Sequence, residues 1–154
     1  MVCIRYFEFM ADDPTWASGM DTIMKRGYNI SCGNEEIEMC LFDTDSCCED
    51  IRFQTYTLNQ DGTICEDIPT DKVISWKLAT RETLPECIRS KEWLNHDYYE
   101  SGGIDKEAEF IAVELTLTSN NPTFVIISNK HNGCYSHRAH IISNQQGVIL
   151  DTFV

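Results

Sequence analysis

Two short stretches of this chain hold the residue types that do chemistry. The first is Ser46-Cys47-Cys48-Glu49, inside the acidic run from Asp43 to Asp50. The second is His131-Asn132-Gly133-Cys134-Tyr135-Ser136-His137, followed by Arg138 and His140. Thiol and imidazole together support two chemistries. The imidazole can act as base for a thiolate nucleophile, or both can share a zinc ion. Neither stretch completes either chemistry alone. A reactive thiolate needs an electropositive neighbourhood, and the neighbours of Cys47 and Cys48 are acids. Adjacent cysteines do not easily ligate one ion, because zinc sites use spaced thiols. Asp43 and Asp45 match two positions of a calcium loop, but the glycine and the closing Glu are missing. In the second stretch, Asn132-Gly133 is a strong type I′ hairpin signal. Tyr135 and His137 then share one face of the returning strand, with His140 on the other. Three ligands within that hairpin are awkward; a site shared with another loop is not. The candidate site is therefore Cys47, Cys48, Glu49, His131, Asn132, Tyr135 and His137. The plain alternative, two well-made turns whose acids cap free N–H groups, is the one the sequence favours.

The elements that must position these residues are mostly strands. Ile4–Phe9 alternates. Tyr28–Ser31 and Ile37–Phe42 flank Gly33-Asn34, and Ile37, Met39 and Leu41 share a core-facing side. Ile51–Leu58 turns through Asn59-Gln60-Asp61-Gly62 into Thr63–Ile68, and Val73–Ala79 puts Ile74, Trp76 and Leu78 on one face. Ile111, Val113, Leu115 and Leu117 alternate with polar residues and lead through Ser119-Asn120-Asn121-Pro122 into the apolar Thr123–Ser128. Tyr135–Ile142 and Val148–Val154 are joined by Asn144-Gln145-Gln146-Gly147. Two helices are expected. One opens at Asp13-Pro14, carries Trp16, Met20, Ile23 and Met24, and ends on a Gly27 cap. The other covers Pro85–Tyr99, with Ile88 and Leu94 apolar. The expected fold class is α+β, mainly an antiparallel sheet built from hairpins with one or two helices packed on it, in a single domain over residues 1–154.

The net charge is −13 and the apolar share 42%. Residues 1–70 carry four bases and fourteen acids, whereas 71–154 carry eight and eleven. That balance opposes direct nucleic-acid binding, which needs clustered Lys and Arg, and opposes anionic membranes for the same reason. No run approaches the ~20 apolar residues of a membrane helix. The acidic half suits a protein partner with a basic surface. Eight cysteines invite a disulfide framework. With no secretory signal at Met1–Met10 and several cysteines in apolar runs, an intracellular, reduced chain is expected instead. There is no G-x-S-x-G elbow and no phosphate-cradling glycine loop.

Taken together, Ser46-Cys47-Cys48-Glu49 and the segment with Asn129, His131, Asn132, Gly133, Tyr135 and His137 resemble a family of small uncharacterised proteins, the domain-of-unknown-function 7448 type. Its members occur in large DNA viruses, phages and microbial eukaryotes. Trp76-Lys77-Leu78-Ala79-Thr80 resembles a middle segment of that family. The resemblance spans roughly residues 37–154 and departs at Cys134, where the family has a Tyr, and at the insertion-like 82–109. It implies kinship, with host cytoplasm as the location of a viral member, and carries no activity or cofactor.

The functional expectation is a non-enzymatic, acidic interaction protein that binds a basic partner through its N-terminal half. The alternative is a small Cys/His enzyme or zinc-binding protein joining the Cys47-Cys48 turn to the His131–His137 hairpin. A virion or assembly component is the third class.

Overall fold

Alternation of apolar and polar residues builds strands, and strands dominate the computed structural model. It describes residues 2–12, 22–43, 49–91, 94, 97–98, 105–106, 109–131 and 137–154. In chain order the elements are β1 (Ile4–Asp12), β2 (Thr22–Cys32), β3 (Glu35–Asp43), β4 (Glu49–Leu58), β5 (Ile64–Cys65), β6 (Val73–Ala79), α1 (Glu86–Arg89), β7 (Asp97–Tyr98), β8 (Asp105–Lys106), β9 (Glu109–Leu117), β10 (Pro122–His131), β11 (Arg138–Ser143) and β12 (Gly147–Phe153). Ten of the strands form one sheet in the order β12-β11-β3-β2-β6-β9-β10-β4-β5, with β1 also paired to β2; β7 and β8 pair separately. The pairings are antiparallel except for one parallel contact, Cys32 with Val73, which joins β2 to β6. The expected turns at Gly33-Asn34, Asn59–Gly62, Ser119–Asn121 and Asn144–Gln146 each connect a hairpin. Gly33 and Gly147 hold φ of 62° and 80°, the left-handed region that favours glycine. No helix among the described residues is long and apolar enough to cross a membrane.

The main core gathers residues from nearly every long strand. Ile4, Tyr28, Ile30, Ile37, Met39, Leu41, Ile111, Val113, Leu115, Leu117, Val125, Ile127, Ala139 and Ile141 bury one continuous apolar cluster. The core-facing alternation expected in β3 and β9 is therefore present. β10 is buried on both faces. Its Val125 and Ile127 face the main core, while Phe124 and Ile126 join Tyr56, Leu84, Ile88 and Leu94 in a second cluster. A strand covered on both sides reads as an unbroken apolar run, as Phe124–Ile127 does.

In β6 the expected apolar face is only partly covered, with Trp76 packed against the main core. Ile74 and Leu78 are exposed, and Val73 and Ala79 are the buried positions. A register shift between Val73 and Ser75 breaks the alternation there. Trp76 still has a structural role through its indole, which donates to Glu35 Oε2 at 3.0 Å. Glu35 also accepts from Ser143 Oγ and Gln146 Nε2. This one carboxylate links β6 to β3, β11 and the β11–β12 turn, close to where the ladder thins to a single pair.

Both helix expectations need correction. Residues 22–27 lie in β2, and positions 13–21 of the first expected helix fall outside the described residues. Ile23 and Met24 cannot share a face in a strand: Ile23 packs with Cys40 and Phe42 on the outer side of the sheet. Gly27 is no helix cap. It sits between Phe7 of β1 and Cys40 of β3. A Cβ built there would lie 2.0 Å from the Met39 carbonyl oxygen and 2.7 Å from the Cys40 Cα. The second expected helix shrinks to the four residues of α1, and Asp97–Tyr98 form β7. Ile88 and Leu94 are both fully buried, but six residues apart they do not stack on one helical face. Among the described residues, the α+β expectation thus reduces to a mainly antiparallel β fold with one short helix.

Because backbone atoms crowd Gly27, side-chain movement cannot relieve a substitution. Gly27→Ala is expected to cost about 1–3 kcal/mol or more, the range for overpacking. Urea denaturation tests this, and an unchanged midpoint would refute the close-approach role.

Candidate functional site

The sequence motifs come together at one end of the β4–β10 pair. The antiparallel register sets His131 opposite Glu49, Lys130 opposite Asp50 and Asn129 opposite Ile51. Glu49 closes the Ser-Cys-Cys-Glu motif and His131 opens the His-Asn-Gly motif, so the two motifs abut through their backbones. Cys47, Cys48, Asn132 and Tyr135 lie outside the described residues, as does the expected type I′ turn at Asn132-Gly133.

Two other motif residues are buried and have structural partners. His137 is 1% exposed, and its backbone exchanges both hydrogen bonds with Val154, at 2.7 and 2.9 Å. Asn129 is fully buried, and its Nδ2 donates to the same Val154 oxygen at 3.2 Å. Asn129 and His137 therefore converge on one main-chain acceptor, from β10 and from the residue that precedes β11. The Asn129 Oδ1 and Ser128 Oγ have no hydrogen-bond partner among the described residues. His137 and His140 face opposite sides of β11, as the alternation predicts. His137 goes inward with Ala139 and Ile141, and His140 outward.

A third constellation was not expected. On the outer face, Glu38 and Cys40 of β3 meet His140 of β11, which is the register partner of Cys40. The His140 Nε2 lies 3.0 Å from Cys40 Sγ and 2.8 Å from Glu38 Oε1. Lys25 Nζ from β2 reaches the same Glu38 oxygen at 2.7 Å. The His140 ring stands edge-on to Phe42 at 5.3 Å, and Lys25 sits 5.6 to 5.8 Å from the rings of Phe7, Phe9 and Phe42. Among the described residues, Glu38, Cys40 and His140 are the group of metal-ligating atoms that lie close together, all within 4.8 Å.

In the sequence, Cys40 lies within the strand run Ile37–Phe42, and His140 lies on the face of its strand opposite Tyr135 and His137. Glu38-x-Cys40 already had the period that puts both side chains opposite Ile37, Met39 and Leu41. The missing signal was the pairing of β3 with β11, a hundred residues away.

No family model, curated protein or solved structure matches the chain. The chemistry of the site is therefore read from its own electrostatics. The hydrogen bond to His140, with Lys25 beside it, holds the Glu38 carboxyl at about 2, against the opposing effect of burial. Burial pushes the Cys40 thiol up to about 12, with Lys25 pulling the other way. At neutral pH the constellation is a carboxylate and a protonated thiol on either side of an imidazole nitrogen. That thiol is a poor nucleophile. Cys3, Cys32, Cys65 and Cys87 lie elsewhere.

The Glu38 carboxyl is depressed on folding from its ordinary 4.5 to about 2. Its contribution to stability is fully present above the unfolded value and is lost as pH falls through the folded one. Urea denaturation of wild type and Glu38→Gln is expected to show a constant gap above about pH 4.5 that closes toward about pH 2. A gap independent of pH would remove the ion pair from this account.

Proposed function

We propose that this protein is a binding module that docks a basic segment of a partner protein on the acidic strands of its N-terminal half. The observation that carries the reading is β1. Among the described residues it pairs with β2 alone. Its outer half exposes Tyr6, Phe9 and Met10, interleaved with the exposed Glu8 and Asp12. An open edge with apolar and acidic side chains suits an added strand rich in Lys or Arg, in which main-chain hydrogen bonds give affinity and side chains give selectivity.

The charge pattern supports the same reading. Lys25 is engaged by Glu38, Arg26 by Asp43 and Glu8, and Arg52 by Asp50. The cations of this half are largely neutralised internally, while Asp12, Glu36, Asp61 and Asp67 are exposed. Such a surface steers a basic partner, and salt weakens the attraction as the Debye length shrinks from about 10 Å at 0.1 M to about 3 Å at 1 M.

The test is binding of a Lys- and Arg-rich β-forming peptide to the full chain, in low and high salt. Binding at low salt that weakens at least tenfold in the double variant Glu8→Lys/Asp12→Lys is the expected result. No binding at low salt, or binding indifferent to both salt and charge reversal, overturns the reading.

A second reading, a Cys/His catalytic site, has one observation in its favour: the Glu49–His131 pairing, which brings the two motifs to the same place in the sheet. In it, His131 acts as base toward Cys47 or Cys48. Site-resolved alkylation by mass spectrometry tests it. A thiolate maintained by His131 reacts at least tenfold more slowly in His131→Ala, and an unchanged rate discards the reading.

A further inference from the structure

The Glu38–Cys40–His140 constellation brings a carboxylate oxygen, a sulfur and an imidazole nitrogen to one place on the outer face of the sheet. One ring nitrogen, Nε2, faces both the Glu38 oxygen at 2.8 Å and the Cys40 sulfur at 3.0 Å. As an N–H it donates to the Glu38 carboxylate and leaves the protonated Cys40 thiol only a weak contact. A cation among the three atoms engages all of them, because each then offers an electron pair to the ion. We propose that Glu38, Cys40 and His140 form a binding site for a divalent ion of the zinc class, with carboxylate oxygen, Sγ and Nε2 as protein ligands and a fourth position left to water.

The donor set matches the ion. Zinc takes Cys sulfur, His nitrogen and carboxylate oxygen at about 2.0–2.3 Å in a tetrahedron, and three protein ligands plus water is the open form of such a site. Those bond lengths place ligand atoms roughly 3.3–3.7 Å apart. The three atoms here all lie within 4.8 Å of one another, so shifts on the order of an ångström complete the geometry. The ligands stand on two hydrogen-bonded strands, with His140 directly across from Cys40, and sites on strands hold their geometry better than sites on loops. Ile23, Phe42 and Phe7 pack around Cys40, a dry wall of the kind that strengthens coordination. Glu38 and His140 keep 31% and 12% of their side-chain surface open to solvent, which gives the ion an entrance and the water a place. On binding, the Cys40 sulfur forms a bond to the ion and its proton leaves to solvent.

Lys25 is the charged group that opposes the ion. It occupies the Glu38 oxygen and must give way. The faces of Phe7, Phe9 and Phe42 already surround its ammonium and can hold it once the carboxylate turns to the metal. Lys25 therefore sets the affinity of the site, and removing its charge tightens binding.

The experiment titrates the full chain with cobalt(II) and zinc(II), following the cobalt–thiolate charge-transfer absorption. Circular dichroism confirms that each variant is folded. The expected result is one tightly bound equivalent whose absorption is lost in Cys40→Ser and kept in Cys47→Ser/Cys48→Ser. Affinity falls at least tenfold in His140→Ala and rises in Lys25→Met. If Cys40→Ser does not fold, His140→Gln supplies the same comparison by removing the imidazole ligand. Absence of the absorption in wild type overturns the proposal, as does its loss in the Cys47/Cys48 variant with retention in Cys40→Ser. Weaker binding in Lys25→Met overturns the role given to Lys25. None of these outcomes depends on the peptide-binding reading, whose charge reversals lie at Glu8 and Asp12.

Discussion

β2 bonds to three other strands, and the architecture depends on its being able to do so. Over eleven residues it pairs with β3 on one side, with β1 on the other, and with β6 at its last residue. A strand held on both edges has little freedom to relieve crowding, so the absence of a side chain at Gly27 is a condition of the arrangement. The close approach there also sets where Cys40 stands, and with it the depth of the Glu38–Cys40–His140 constellation. Glu35 supports the same junction from the other end by tying Trp76 to Ser143 and Gln146.

Where local chemistry decides structure, the sequence was legible. Turn residues at Gly33-Asn34 and Asn144–Gly147, and the alternation of Ile37-Met39-Leu41 and Ile111–Leu117, yielded hairpins with the right faces. Where tertiary pairing decides, it was not. Trp16, Met20, Ile23 and Met24 carry helical spacing, yet β2 takes Ile23 and Met24 as neighbours on opposite faces. The bonds offered by β1 and β3 outweigh a weak local preference. Ile74 and Leu78 alternate convincingly but stay exposed; the shift after Val73 sets Val73 and Trp76, three residues apart, against the same core cluster, and no periodicity rule anticipates it.

The site divides in the same way. Glu49 and His131 could be named from residue types, and their adjacency follows only from the β4–β10 register. Asn129 and His137 stood in the motifs, but their shared acceptor is a main-chain atom of Val154 with no signature of its own. Glu38 and Cys40 advertise nothing individually. Their chemistry arises when β11 delivers a histidine to their face. A constellation drawn from paired strands far apart in the chain is the kind a single sequence hides best.

The separation of β3 and β11 has a consequence during synthesis. His140 follows Cys40 by a hundred residues. At about 5–20 residues per second, β3 waits roughly 5–20 seconds on the ribosome for the strand that completes it. Throughout that interval its free edge, with Ile37, Met39 and Leu41 on one side, is a template for pairing with another nascent chain. Glu36 and Glu38 interrupt that edge with negative charge, the usual protection for an unpaired strand. The carboxylate that meets His140 in the folded chain is thus also of the kind that disfavours edge-to-edge pairing before the partner strand has been made.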